Sequence, residues 1–444
     1  MPISMTRLCA ALTAAFSCAA VYAAAEPIGL EANVRAQSTA VEQKLIAWRR
    51  DIHQHPELGD QENRTAKLVT DHLRSLGLEV RTGIGRTGVV GILKGGKPGK
   101  MVALRADMDA LPVKETSGLP FASTARGNLH GKEVDVMHAC GHDAHTAMLM
   151  AAAEVLVSMK DHLEGSVMFI FQPAEEGTSL FPSGSGKSWG AKLMLEDGIF
   201  NAGKPDAVFG LHVMPGRLGE LRWRAGAVTA SSDELHITVT GKQGHGGMPW
   251  NAIDPVVASA QVINSVQTVV SRGANLTLGP AVVTIGTING GSAPNIVPEK
   301  VVMSGTVRTY DEGVRRKIAD DLKTGVMNAA ASTGAKAEVK LVTGYGTTVN
   351  NAALVARMAP VLERAADGRT APAPLLGAAE DFSYFAREAP GVFFTLGVTP
   401  EGQDPQMVAP NHNPAFFVDE RALVVGTRAL ASLAVNFLSG SAAR

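Results

Sequence analysis

Thiol, imidazole and carboxylate side chains crowd into four short stretches of this chain, and together they are the ligand set of zinc and its divalent neighbours. The stretches are Asp107-Met108-Asp109; His138, Cys140, His142, Asp143 and His145; Gln172-Pro173-Ala174-Glu175-Glu176; and His212. Three of them follow apolar, β-rich runs, Met101 to Ala106, Val167 to Phe171 and Val208 to Leu211, and the cysteine-histidine stretch leads into a helix. In open parallel sheets ligands sit beyond the carboxyl ends of the strands, so these groups are expected to converge on metal. A lone histidine at a strand end is ordinarily a cap or a packing residue, and function has to be argued from a whole site. Four loaded ends supply one. Glu175 and Glu176 are adjacent in a loop and point in different directions, so one can bind metal while the other stays free as a base. His138 and His145 could also ligate, although His145 suits helix capping and His138 suits support of a ligand from behind.

Cysteine usage bears on the same site. In the first 25 residues Arg7 leads into a mostly apolar run from Leu8 to Val21, then Ala23, Ala24 and Ala25 precede Glu26, which is the charged-apolar-small order of a secretory signal. The run is shorter than the ~20 apolar residues of a spanning helix. Ala15-Phe16-Ser17 before Cys18 lacks the aliphatic-small-small order of a lipoprotein signal. The expectation is therefore an exported protein, periplasmic or secreted, with residues 1–25 removed. Cys9 and Cys18 leave with them, and Cys140 alone remains. An unpaired thiol in an oxidising compartment calls for burial or a metal.

Composition narrows the classes. Lys+Arg number 41 and Asp+Glu 42, a formal charge of -1, so nothing recruits phosphate backbones or anionic lipid over long range. With 45% hydrophobic and 19% charged residues, the chain is globular for most of its length.

The elements that must position these residues follow a polar stretch to about Ala40. Apolar residues recur at helical spacing through Val41, Leu45, Trp48 and Ile52, and a second helix is expected from about Gln61 to Leu76. Short β-rich runs then alternate with helices as far as Val213, which predicts an α/β domain with a mostly parallel sheet covered by helices. From about Thr229 the pattern becomes βαββαβ. Leu235, Ile237 and Val239 alternate in a strand, Asp254-Pro255 opens a helix, strands span Ala281 to Ile288 and Lys300 to Thr309, a helix spans Glu312 to Ala331, and a strand spans Ala337 to Val342. This is a ferredoxin-like α+β unit of ~100 residues. The predicted organisation is a catalytic domain, 26–228 and 344–444, interrupted by an inserted domain, 229–343. The strand Gly391 to Val398 returns to the first.

The chain resembles the M20 metallopeptidases, with the closest look to the amidohydrolase branch of hippurate hydrolases, N-acyl-amino-acid amidohydrolases and plant auxin-conjugate hydrolases. The resemblance runs from about Val41 to the C-terminus. It is carried by Arg49-Arg50 through His53, His55-Pro56-Glu57-Leu58, Arg105 to Pro112, His138 to Asp143 and Gln172 to Gly177. Further matches are Gly241 to Pro249, Pro294 to Pro298, Gly305 to Arg308, Ala379 to Phe382 and Asn411 to Phe416. It implies two divalent ions, Zn²⁺ or Mn²⁺ before Co²⁺ or Ni²⁺, held by Cys140, His142, Glu176, His212 and His412, with Cys140 shared. It implies Glu175 as general base and Asp109 as the aspartate that orients a metal-bound imidazole. Asp107 stands where other branches have a histidine ligand, a role His142 would make up. His245, in the inserted domain, matches a histidine that polarises the scissile carbonyl, often from the partner subunit of a homodimer. Asn295 and Arg308 match residues suited to a substrate carboxylate. Two departures stand out: an extra Ser/Gly-rich loop from Thr178 to Trp189, and Trp250 after Pro249, where a histidine is common.

The activity implied is hydrolysis of the amide bond of N-acyl-amino acids or short peptides by a metal-activated water, with Glu175 as base. A periplasmic binding protein using the same cleft without catalysis is the competing expectation, but it has no reason to keep Glu175 free beside a complete ligand set. A serine hydrolase lacks its G-x-S-x-G elbow; the nearest run, Gly184-Ser185-Gly186, sits in the extra loop.

Overall fold

The computed structural model describes residues 26–182 and 184–440, so the expected signal segment 1–25, with Cys9 and Cys18, lies outside the described residues. An eight-stranded sheet runs in the order Glu79–Ile84, Gly88–Lys94, Glu164–Gln172, Lys97–Asp107, Ala207–Arg217, Gly391–Thr399, Leu221–Trp223, Thr370–Pro372. Its four middle strands, from Glu164–Gln172 to Gly391–Thr399, are parallel, and Gly88–Lys94 and Glu79–Ile84 extend it antiparallel. Every residue of Gly391–Thr399 is buried. A parallel strand covered on both faces reads as a continuous apolar run, and that is how this segment reads.

One face of the sheet packs on Glu42–Gln54, Asn63–Ser75, His142–Val157, Ala352–Ala365 and Leu423–Leu438. The other face carries Gly190–Glu196 and Phe382–Glu388. The stretch before Ala40, expected to be polar and without an element, is the helix Glu26–Ala40. Its Val34 is fully buried in the core shared with Leu423–Leu438, so tertiary packing stabilises a helix that has no apolar stripe of its own. Glu420–Leu438 is long and apolar enough to cross a membrane, but 89% of that stretch is buried inside the protein.

Residues 233–343 run Asp233–Thr240, Pro255–Thr268, Ala281–Gly290, Lys300–Thr309, Glu312–Ala331, Lys336–Thr343. The strands form an antiparallel sheet in the order 281–290, 300–309, 233–240, 336–343. The Asp254 carboxylate caps its helix, accepting from the backbone N–H of Val256 and Val257, with Pro255 in the first turn. Leu235, Ile237 and Val239 meet Val262, Val266, Ile318, Leu322 and Val326 in a core of their own. Entry and exit run side by side, because Gly226–Thr229 pairs with Thr348–Asn350.

Candidate active site

Two backbone devices set the cysteine and the paired carboxylates. Gly141 is the residue before the helix His142–Val157 and has φ +87°. A Cβ there would stand 2.3 Å from Val213 Cγ2, so only glycine lets the turn close against the neighbouring strand with Cys140 on one side and His142 on the other. Ala174, just past the strand Glu164–Gln172, has φ +51°. Its N–H donates to the buried Glu62 carboxylate at 2.8 Å, and beyond it Glu175 and Glu176 diverge. His212 corrects an expectation. It does not end a strand; it lies inside Ala207–Arg217. Pairing with Lys97–Asp107 stops at Arg105 opposite Gly210, so the strand outlasts that neighbour and His212 sits just past the gap.

Cys140 Sγ is the centre of the cluster, 3.4 Å from His212 Nε2 and 3.3 Å from His412 Nε2. His412 Nε2 is also 2.8 Å from Glu176 Oε1. His212 donates Nδ1–H to the Val213 carbonyl at 2.8 Å, which leaves the Nε2 lone pair toward the thiol. His142 donates Nδ1–H to Asp109 Oδ1 at 3.1 Å, and the other Asp109 oxygen accepts from the Glu176 N–H at 2.9 Å. One carboxylate thus fixes both an imidazole and the loop that carries Glu176. His142 Nε2 is buried with no hydrogen-bond partner. His412, with φ +69°, is held through its N–H to Ala139 O at 2.8 Å, and Asn411 beside it donates to the carbonyls of Cys140 and Val213.

Asp107 is occupied elsewhere: it accepts from His145 Nδ1 at 2.6 Å and from Arg105 at 2.7 Å. His145 Nε2 accepts from the Val213 N–H at 2.8 Å. With both nitrogens engaged, His145 supports Asp107. His138 is buried with both nitrogens unpartnered, 6.4 Å between ring centroids from His53, and burial drives its pKa down to about 3. Asp143 accepts from Arg49 and His53, each at 2.8 Å, and holds the helix Glu42–Gln54 to the site.

Beneath Glu175 lies a buried network that sequence reasoning left without a role. Glu380 and Asp381 accept from Arg105 at 2.8 and 3.0 Å, and Gln172 bridges Arg105 and Asp381. Their motif was visible; their partner lies 275 residues away in the chain. Burial, reinforced by Glu380, Glu176 and Asp381, pushes the Glu175 carboxyl well above the usual range. Burial also pushes the Cys140 thiol up, with Glu176 and Glu175 adding to it. Burial works against a charged His142, but Asp107 and Asp109 outweigh it and raise the imidazole to about 10. Burial, with His145, holds His212 well below its ordinary value.

These groups fit divalent cations. The ligand atoms of Cys140, His142 and His212 lie within 4.8 Å of one another, and so do those of Cys140, Glu176 and His412. The orphaned Nε2 of His142, a His212 Nε2 lone pair turned to the Cys140 thiol and a thiol that only a nearby cation would ionise are what a metal satisfies. The cavity of about 470 Å³ over this cluster is also lined by Glu175, Arg308, Tyr345 and Glu380. His245 and Asn295 do not line it. They neighbour each other instead, in a turn where Gly246 N–H donates to the Asn295 carbonyl at 2.8 Å.

A profile of peptidase family M20/M25/M40 matches residues 103–436. The chain is 42% identical over 400 residues to thermostable carboxypeptidase 2 of Saccharolobus solfataricus, covering 89% of this chain and 96% of that protein. It is 39% identical over 311 residues to the N-acyl-L-amino acid amidohydrolase of Geobacillus stearothermophilus, covering 70% and 79%. Among solved structures, a dinuclear metal-binding peptidase of the M20 family from Bacillus subtilis superposes with a TM-score of 0.74 at 33% identity, over 91% of this chain and 100% of that one. With its mixed thiol, imidazole and carboxylate cluster, the chain belongs to the M20 peptidase family, in its amidohydrolase branch, and is a divalent-metal hydrolase of amide bonds.

Proposed function

We propose that the protein is an exported homodimer that releases an amino acid from N-acyl-amino acids or short peptides, with two divalent ions held by Cys140, His142, Glu176, His212 and His412. Zn²⁺ or Mn²⁺ is the native pair, with Co²⁺ and Ni²⁺ as substitutes; borderline ions suit a thiolate and imidazole set better than Mg²⁺ or Ca²⁺. The carrying observation is Glu175, a buried carboxyl pushed up by its surroundings that lines the same cavity as Cys140, Glu176, His212 and His412. A group so placed serves to carry a proton.

Bound divalent ions supply Lewis acidity, lowering the pKa of water toward ~7 and polarising a carbonyl. Glu175 takes the proton from the attacking water and returns it to the departing amine. Asp109 keeps His142 and the Glu176 loop in place, and the buried Arg105 network holds Glu380 and Asp381 behind the base. Arg308 lines the same cavity, which supports a role for its guanidinium in holding the free carboxylate of the substrate. A carboxypeptidase and an N-acyl-amino-acid amidohydrolase cut the same kind of bond: an amide whose nitrogen belongs to an amino acid with a free carboxylate. That common feature supports the substrate class.

Support for the dimer comes from the inserted sheet. Its edge strand Ala281–Gly290 leaves Val282 and Ile288 exposed, and an unpaired edge with apolar side chains is suited to a second copy. The exposed His245 accepts from the Gly247 N–H at Nδ1, 3.0 Å, so its proton is on Nε2, where it can donate to a carbonyl oxygen. Export rests on the order of residues 1–25, and a mature chain recovered outside the cytoplasm should begin near Glu26.

A screen of N-acetyl-amino acids, N-benzoyl-glycine and dipeptides tests the activity. Chelation should abolish it and Zn²⁺, Mn²⁺ or Co²⁺ should restore it; full turnover by demonstrably metal-free protein would sink the mechanism.

A further inference from the structure

The peptide unit that joins Glu175 to Glu176 is gripped at both ends. Its N–H, on Glu176, donates to Asp109 at 2.9 Å, and its carbonyl, on Glu175, accepts from the Tyr345 hydroxyl at 2.5 Å. The two partners come from different parts of the fold. Asp109 follows the strand Lys97–Asp107 of the large sheet, whereas Tyr345 lies between Lys336–Thr343, an edge strand of the four-stranded sheet, and Thr348–Asn350, where the chain pairs with Gly226–Thr229.

The main chain around Tyr345 is itself held. Its carbonyl accepts from the Ser232 N–H at 2.8 Å. On one side the Gly344 N–H donates to Asp233 at 3.1 Å, and Asp233 is paired with Arg315 at 2.8 Å. On the other side Gly346 passes beneath the ion pair of Arg387 and Glu312, where a Cβ would stand 1.9 Å from the arginine. The phenol is oriented as well, because its oxygen accepts from Trp189 Nε1 at 3.0 Å. Trp189 belongs to the Ser/Gly-rich loop that the sequence marked as an addition.

The double grip has a mechanical consequence. The peptide bond is planar and only φ and ψ are soft, so the plane between two residues can turn by opposite changes in the ψ before it and the φ after it. A turn of the plane between Glu175 and Glu176 would move the two carboxylates relative to each other. Ala174, just before it, stands at φ +51°, a conformation that residues with a side chain seldom adopt, so the loop depends on outside restraint. With Asp109 alone, one hydrogen bond resists the turn; with Tyr345, two do.

We infer that Tyr345 is a positioning residue for the hydrolysis: through the Glu175 carbonyl it holds the peptide between base and metal ligand, so that the Glu175 carboxyl keeps its place relative to Glu176. It acts through Glu175 and needs no contact with substrate. The inference rests on Glu175 being the base, as proposed above, and adds a residue that sets where the base stands.

The test measures kcat, KM and bound metal for metal-loaded protein on the best substrate of the screen above. Tyr345→Phe keeps the ring and loses the hydroxyl. Its kcat should fall on the order of tenfold, with KM within about twofold of the wild type and metal content unchanged, because a misplaced reacting group slows the bound complex. Added to Glu175→Gln, the same change should lower kcat no further, since it works through a base already removed. A Tyr345→Phe protein with wild-type kcat, a loss carried mainly by KM, a loss that tracks metal content, or an undiminished loss in the Glu175→Gln background each overturns the role and leaves the wild-type hydrolase standing. Should Tyr345→Phe fail to fold, Trp189→Phe takes its place, removing only the donor that orients the phenol: a fall in kcat at unchanged KM and metal content supports the role, and an unchanged kcat overturns it. A wild type that cleaves none of the screened amides overturns the amidohydrolase reading, and the role of Tyr345 with it.

Discussion

The different work proposed for the adjacent glutamates follows from their different surroundings. Glu176 faces His412 and Cys140 and its carboxyl is held below the usual range: burial raises it, but the His412 hydrogen bond and the His142 charge outweigh that. Glu175 faces other carboxyls and is pushed up. Glu175→Gln is expected to keep bound metal and substrate affinity while losing about 10²- to 10⁴-fold in rate, the usual worth of a general base. Glu176→Gln should instead lose metal. Metal analysis of the two variants decides, and swapped metal contents would reverse the assignment. Glu62 makes a separate prediction. Burial, with Asp109 adding to it, raises its carboxyl to about 8, so the folded state holds a proton that the unfolded chain releases near pH ~4.3. Between these values the folded state binds more protons, and the contribution to stability falls as pH rises. In Glu62→Gln the neutral amide can still accept from the Ala174 N–H and pair with the Thr87 hydroxyl, the partners of the acid. Melting temperature measured from pH 4.5 to 8 should therefore decline less steeply for Glu62→Gln than for the wild type, and parallel curves would remove Glu62 as the source.

At the scale of elements, the cluster depends on where strands stop and how helices start. Gly141→Ala puts a Cβ 2.3 Å from Val213 Cγ2 at a positive φ. It should cost about 1–3 kcal/mol from backbone strain, with a further loss of metal as Cys140 and His142 shift together. An unchanged melting temperature and full metal content would show that the turn tolerates the methyl group. The helix Glu312–Ala331 and the strand Lys300–Thr309 were legible to the residue, because alternation and helical spacing follow burial on one face. The helix Glu26–Ala40 was not legible, since its stability comes from Leu423–Leu438, nearly 400 positions on. His212 was legible as a site residue but not as a mid-strand one, for the strand end that matters belongs to its neighbour. Arg105 explains the remaining gap. An arginine beside an aspartate in a strand reads as a local pair, and only folding brings Glu380 and Asp381 onto the same guanidinium.

For the whole molecule, the proposed dimer bears on where His245 acts. In its own subunit it is exposed, paired in the short strand Gly244–His245 with Ile296–Val297, and does not line the cavity over Cys140. In the proposed homodimer each inserted domain offers its His245 to the metals of the other chain, so that every site needs one residue from each subunit. Mixing His245→Ala chains with Glu175→Gln chains tests this. A mixed dimer would then contain one site with both residues altered and one with both intact, and activity should return toward half that of the wild type per mixed dimer. If each subunit used its own His245, both sites in the mixed dimer would stay defective. Either parent alone is impaired under both schemes, so recovery on mixing is the discriminating signal, read alongside a label that verifies subunit exchange. Persistent inactivity after verified exchange counts against sharing, and a monomer in solution at working concentration counts against the dimer itself.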